Sequence, residues 1–286
     1  SNNMGLPDIV IEFVKKAVTA IQAGEGGVVG IIVKDTPKGA YVLRAGDKLP
    51  ELTPDNAAYV ERAFLGNPKK VHLYVLPSEA GDYSEAFKYF ATKRVNYLCG
   101  DPAITNELTT ALVTWVKAKR KAGKVHPVAV LAGDDAKADD PGVVNFGLVG
   151  GENLSVGDKT FTAPQYCSRI AGLLAGLSYN VSATYKPLSE VTAIPEVDDE
   201  SAVDDAIDAG KLVLYDNGTG IVIGRGVNSL TTVTQEQTED LKKIKIVAIQ
   251  DQITTDIMDT INKSYIGNYP NSYDNKCLLI TAIKGY

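Results

Sequence analysis

Apolar residues follow two rhythms along this chain, and the switching between them predicts most of its architecture. "VVGIIVKDT" at 28–36 is a continuous apolar run, the pattern of a strand buried on both faces. Thr53-Pro54 predicts a helix through about Leu65, with Pro54 at the first helical position, where a missing N–H costs nothing. A second strand is predicted at 70–76, a short helix at 84–93 and a third strand at 94–100. Residues 104–123 read as a helix with Leu108, Leu112, Trp115 and Val116 on one face. Its last turn carries Lys119, Arg120 and Lys121 before Gly123, which complements the macrodipole and closes the helix. "VHPVAVLAG" supplies a fourth strand. Strands alternating with helices predict an α/β domain with a largely parallel sheet.

Beyond residue 133 the pattern becomes more varied. A polar loop, "GDDAKADDPG", precedes the strand "VVNFGLVG", and "ENLSVGDKTFT" predicts a hairpin turning at Gly157-Asp158. In "APQYCSRIAGLLAGL" the residues Tyr166, Ile170, Leu173, Leu174 and Leu177 face inward as on a helix. Its Ala171, Gly172, Ala175 and Gly176 permit close backbone approach. An acidic helix is predicted over 197–210, then a β-hairpin turning at Asp216-Asn217-Gly218. "EDLKKIKIVAIQDQ" reads as a basic strand, and 253–267 as a helix with Ile253, Ile257, Ile261 and Tyr265 at spacing four. A last helix, 271–286, has no capping signal at its end, which predicts a chain truncated there. At the other end "DIVIEFV" suits an extended strand with Ile9, Ile11 and Phe13 on one side, and "QAGEGG" reads as its hinge. The organisation expected is an arm and first part of a core domain at 1–27, an α/β body at 28–232, and a partial α+β core domain from 233 to 286.

Composition narrows the function. The chain has 286 residues, 44% hydrophobic and 22% charged, with a formal net charge of −6. That is ordinary for a globular protein with a real core, and it disfavours non-specific nucleic-acid binding. The longest apolar runs are far too short to span a bilayer. Cys99, Cys167 and Cys277 are odd in number and widely spaced, which argues against a disulfide framework or a thiolate zinc site. Only His72 and His126 are present, so a histidine-rich metal site is not expected. No cofactor is expected either.

Three stretches invite a chemical reading. "GRGVNSLTT" at 224–232 is glycine-rich, but Gly218, Gly220, Gly224 and Gly226 miss the spacing of a dinucleotide loop, and "GEGGVVG" lacks the Lys of a P-loop. The stretch reads instead as a strand end and turn, with Asn228 and Ser229 bonding main chain and Arg225 an exposed or interface charge. A serine hydrolase is the second idea, with Asp35 after a strand and a small-residue helix at 163–177. Yet "TFTAPQ" stands where a nucleophilic serine turn belongs, and His72 lies inside a strand pattern. Third, Asp134, Asp135, Asp139 and Asp140 offer carboxylates to a hard cation, but without calcium-loop spacing; a solvated turn is the simpler reading.

Four motifs in order then point to a family. "MGLPDIVIEF", "IVIGRGVNSLTT", "LKKIKIVAIQDQITTDI" and "YIGNYPNSYDNKCLLITAIKGY" together resemble the sheath proteins of contractile phage tails and R-type bacteriocins. Most specific are Arg225-Gly226-Val227-Asn228-Ser229-Leu230 and Asn271-Ser272-Tyr273-Asp274-Asn275-Lys276. The resemblance implies a subtilisin-like α/β domain without an active site, and a core domain built from both chain ends. It implies hexameric rings wound around an inner tail tube protein, a baseplate that triggers contraction, and no enzyme activity. It further implies an intersubunit strand arm at Ile9, Val10, Ile11, Glu12 and Phe13, and a domain-junction signature at Arg225, Gly226, Asn228 and Ser229. Helices carrying Asp256, Lys263, Asn275 and Lys276 are the expected tube-facing ones. Such a protein would sit in the sheath of a virion or bacteriocin particle, assembled in the bacterial host cytoplasm. The alternative is a hydrolase on a subtilisin-like scaffold.

Overall fold

The computed structural model describes residues 26–263. These include an eight-stranded sheet in the order β10-β9-β6-β5-β4-β1-β3-β2. Its strands are β1 (Val28–Lys34), β2 (Gly39–Leu43), β3 (Lys70–Leu76), β4 (Tyr97–Cys99), β5 (Val128–Ala132), β6 (Val143–Gly147), β9 (Lys211–Asp216) and β10 (Ile221–Ile223). Every pairing from β3 across to β9 is parallel, and the two outermost strands, β2 and β10, are antiparallel. A separate hairpin joins β7 (Asn153–Val156) and β8 (Lys159–Thr162). The largely parallel α/β architecture anticipated from alternation is therefore present.

Side-chain alternation along each strand feeds two cores. Val29, Ile31 and Val33 of β1 face one, packed under α1 (Pro54–Phe64) and α4 (Ala163–Gly176). Val28 and Ile32 face the other, packed under α2 (Ser84–Phe90) and α3 (Asn106–Ala122). Burial on both faces is why β1 reads as unbroken aliphatic sequence. The α3 helix opens on Thr105, whose Oγ1 accepts from the Leu108 N–H at 3.3 Å, and closes at Gly123 with φ 81°.

Between α1 and α4 the small residues do what their spacing suggested. A Cβ on Gly172 would lie 1.9 Å from the Ala63 carbonyl oxygen, and one on Gly176 would lie 1.7 Å from that of Gly66. The two backbones touch there, and Ser168 Oγ donates to the Tyr59 carbonyl at 2.7 Å.

Two elements differ from expectation. The β2 strand was not anticipated; its turn-like lead-in, "DTPKG", and short length masked an alternation in which Tyr41 and Leu43 turn inward. The segment at 239–252 is not a basic strand. A single 3-10 turn spans Glu239–Lys242, and α6 runs from Ile244 to Ile261. The alternating Ile-Lys-Ile looked like a strand, but Ile244 and Val247, both buried, are spaced for a helix, and no Gly or Pro interrupts the next fourteen residues. The acidic helix is α5 (Ser201–Asp208).

The chain divides into two compact units. The larger comprises 26–177 and 181–247 and contains the whole sheet, so it continues past position 232. Among the described residues the smaller comprises 178–180 and 248–263; within it Tyr179 Oη donates to Gln252 Oε1 at 2.7 Å. The arm at 9–13, the helix at 271–286 and Cys277 lie outside the described residues.

Candidate functional site

In an open parallel sheet, ligands bind beyond the carboxyl ends of the strands, where the strand order reverses. Here that place lies past β1 and β4, and it is filled by the protein's own side chains. Tyr59 Oη donates to the Gly100 carbonyl at 2.7 Å, and Tyr83 Oη donates to the Asp101 carboxylate. The Asp101 N–H in turn donates to Tyr83 Oη at 2.9 Å. Both tyrosines are buried, and a Cβ on Gly100 would already meet Ile104 at 2.5 Å. Burial and then the neighbouring Asp101 push the Tyr83 hydroxyl far up, so it stays protonated as a donor.

Asp35 ends β1 and is 3% exposed. Its Oδ2 accepts from Thr53 N–H at 2.7 Å, Thr53 Oγ1 at 3.0 Å and Asn56 Nδ2 at 2.9 Å. Its Oδ1 accepts from Thr36 N–H at 2.8 Å and Thr36 Oγ1 at 3.2 Å. Burial acts to raise its pKa, but these donors together outweigh it and hold the carboxyl well below the usual range. The group is a clamp that joins β1 to the start of α1. His72 is engaged elsewhere, its Nδ1 2.8 Å from Tyr89 Oη, and burial first, then Lys70 and Lys93, push its pKa down. The "TFTAPQ" segment serves α4: Thr162 N–H donates to Gln165 Oε1 at 2.9 Å, as in a capping box. Asp35, His72 and this turn thus form no nucleophile-base pair.

The glycine-rich stretch turns out to be a seam. Asn228 Nδ2 donates to the Leu241 carbonyl at 2.7 Å, and its Oδ1 accepts from the Leu230 N–H at 3.0 Å. Ser229 Oγ donates to the Asp140 carbonyl at 2.8 Å, and the Ser229 N–H donates to the Val143 carbonyl at 2.8 Å. Gly226 N–H donates to Thr184 Oγ1 at 3.0 Å. Asp139 Oδ1 accepts from the N–H of Thr231 at 2.7 Å and of Thr232 at 2.8 Å. Bonds from Thr232 and then Thr231 hold the Asp139 carboxyl well below its usual range. One short stretch therefore ties together chain segments near 140, 184 and 241.

The seam also accounts for the acidic loop. Asp139 faces the threonines, Asp140 Oδ1 accepts from Gly142 N–H at 2.7 Å, and Asp134 pairs with Lys137 at 3.0 Å. Among the described residues no group of three or more His, Cys, Asp or Glu is arranged to hold a metal ion, and no helix is long and apolar enough to cross a membrane. Arg225 stands apart from the seam: it is exposed while its neighbours Ile223 and Gly226 are buried. Of the proposed tube-facing residues, Asp256 is half-buried and accepts from Gln252 Nε2 at 3.0 Å, and Lys263 is exposed. Asn275 and Lys276 lie outside the described residues, as do Ile9, Val10, Ile11, Glu12 and Phe13. Sequence reasoning missed Asp139, Thr231 and Thr232 as partners; the pairing spans about ninety residues, and no local spacing encodes it.

The switch point is packed with the protein's own side chains, and the seam ties distant segments of the α/β body together. Comparison with known proteins identifies the family. The family model described as the phage tail sheath protein central domain matches residues 77–229, ending in the seam. The tail sheath protein of Clostridium phage phiCD119 is 38% identical over 291 residues, covering 99% of this chain and 79% of the relative. The chain belongs to the phage tail sheath protein family. The sheath tail protein Lin1278 of Listeria innocua shares the fold, with a TM-score of 0.75 at 17% identity, over 97% of this chain and 87% of that one. The helical sheath of the anti-feeding prophage in its contracted state aligns with a TM-score of 0.64 at 15% identity, over 91% of this chain and 76% of that one. These relatives are structural sheath proteins, not enzymes. The chain is a structural tail sheath subunit.

Proposed function

We propose that this subunit polymerises as hexameric rings, wound helically around an inner tail tube protein, and that the polymer contracts to drive the tube through a target envelope. The observation that carries this is family membership over almost the full chain, joined to a body whose ligand crevice is closed by Tyr59 and Tyr83. A mechanical polymer needs stiff bodies and reusable interfaces rather than a tuned pocket, and its energy is the difference between two packings of the same subunit. The solved relatives include sheath and baseplate assemblies of the anti-feeding prophage, which supports self-association and baseplate proteins as the partners here. Neither nucleic acid nor a membrane is a partner of this subunit. The α/β body is the subtilisin-like sheath domain, its Asp35 kept as a structural clamp. Both chain ends contribute to the core domain, and residues 9–13 form the arm that adds a strand to a neighbour's sheet. The particle, a phage tail or an R-type bacteriocin, is put together in the cytoplasm of its bacterial host.

Electron microscopy of purified particles before and after contact with target envelopes tests this reading. The expected result is two sheath forms, one long and narrow, the other short and wide with the tube protruding. A sheath of one fixed length in both samples contradicts contraction.

A further inference from the structure

The Arg225 guanidinium has no ion-pair or hydrogen-bond partner among the described residues, although it shares a groove with two carboxylates. The groove, about 340 Å³ in volume, is lined by Thr184, Tyr185, Glu200, Asp204, Ile207 and Arg225, among others. Tyr185 is held in the left-handed region at φ 63° by its own N–H bond to the Ile223 carbonyl and by the Lys186 N–H bond to Ala183. A non-glycine residue in that conformation carries strain. Tyr185 is nonetheless 66% exposed. Along the groove runs α5, whose Val203 and Ile207 are only half-covered and which has no fully buried residue. Its outer face and approach carry Asp198, Asp199, Asp205 and Asp208 as well.

The opposite charge sits at the end of α3. Lys117 and Lys121 are exposed one helical turn apart, with Lys124 just beyond the cap, and no acidic residue lies between Leu108 and Ala132. The last carbonyls of a helix lack intrahelical partners and form its negative pole. An α3 end therefore presents lysines around a ring of carbonyl acceptors. The groove presents the complement: Glu200 and Asp204 for the lysines, Arg225 for the carbonyls, and the Tyr185 ring for a lysine stem.

We propose that the α5 groove receives the C-terminal end of α3 from a second copy of this chain, with Tyr185 and Arg225 as its anchors. Tyrosine and arginine in such positions are the residue types that carry interface energy. The two surfaces differ, so the contact is heterologous, running head to tail from copy to copy as the contacts of rings and helical polymers do. The inference rests on the sheath reading and names one of the contacts within it.

Sedimentation velocity of the whole chain over a range of concentrations and NaCl tests the pairing. We expect self-association that weakens as salt rises, and that weakens about tenfold or more in either Glu200→Lys/Asp204→Lys or Lys117→Glu/Lys121→Glu. Combining the two reversals is expected to restore it. Tyr185→Gly relieves the backbone strain, so it is expected to keep or raise the melting temperature while weakening association; a merely structural role for Tyr185 predicts no change in association. Association that ignores all these variants, or charge reversals that do not rescue one another, overturns this contact and leaves the sheath reading standing. A chain that never associates overturns both.

Discussion

Replacing Gly172 by alanine sets two effects of known size against each other. In a free helix the change stabilises by about 1 kcal/mol, because alanine loses less backbone freedom. In this fold the new Cβ would lie 1.9 Å from the Ala63 carbonyl oxygen and 2.7 Å from its carbon. Ordinary carbon-oxygen contact is about 3.3 Å, so α1 and α4 must separate by roughly 1.4 Å. The obstruction is backbone on both sides, with no flexible side chain to swing away. Separation would also lengthen the bonds from Ser168 Oγ to the Tyr59 carbonyl and from Arg62 to the Gln165 carbonyl, now 2.7 and 2.9 Å. Overpacking by one methyl costs about 1–3 kcal/mol, and each weakened hydrogen bond about 1 kcal/mol more. The steric side wins, with a net destabilisation of about 2–4 kcal/mol, a large part of a typical domain's stability. Urea unfolding followed by far-ultraviolet circular dichroism should show the midpoint falling by about 1 M. Gly81→Ala, whose Cβ meets nothing within 4 Å, is the control and should stay within about 0.5 kcal/mol of the parent. A Gly172→Ala midpoint at or above the parent's would refute the close-contact account.

Other consequences follow from the clamp, the seam and the arm. Asp35→Asn should destabilise by about 2–4 kcal/mol at neutral pH, since an amide cannot accept from all five donors. The folded pKa of Asp35 lies below its unfolded value of about 3.9, so its stabilisation is complete above that value and is lost as pH falls through and below it. Acid titrations should therefore show a shallower loss between pH 5 and 2 in the variant, and equal slopes would show that Asp35 is not a clamp. Asp139→Ala frees the Thr231 and Thr232 amides, which should exchange hydrogen about tenfold faster while amides of β1 stay protected. Ile9→Asp with Ile11→Asp should block assembly yet leave the cooperative melt of the α/β body intact; loss of that melt would make the segment core rather than arm.

Much of the body was legible because its elements announce themselves locally. Continuous aliphatic runs gave the central parallel strands, and Thr53-Pro54, Gly123 and Gly218 marked a helix start, a helix end and a hairpin turn. Gly172 and Gly176 even foretold the helix contact, because a small-residue face has few other uses. What stayed hidden depends on distant partners. The β2 strand is short and exists through its pairing with β3, while Ile-Lys-Ile at 244–246 has a local period that the longer helix overrides. The seam was visible only as an unusual composition. That Ser229 reaches Asp140, and Asp139 reaches Thr231, follows from where the sheet delivers those loops. Likewise the sequence showed Asp35 without a triad, but only the packed structure shows what its carboxylate does instead.

The central claim is that this chain is a subunit of a sheath polymer, and negative-stain electron microscopy of the protein, produced together with the tube protein proposed as its partner, tests it most directly. The account predicts long hollow cylinders with a regular helical repeat, built around the tube. Only monodisperse single subunits, across all protein concentrations and salt conditions, would contradict it.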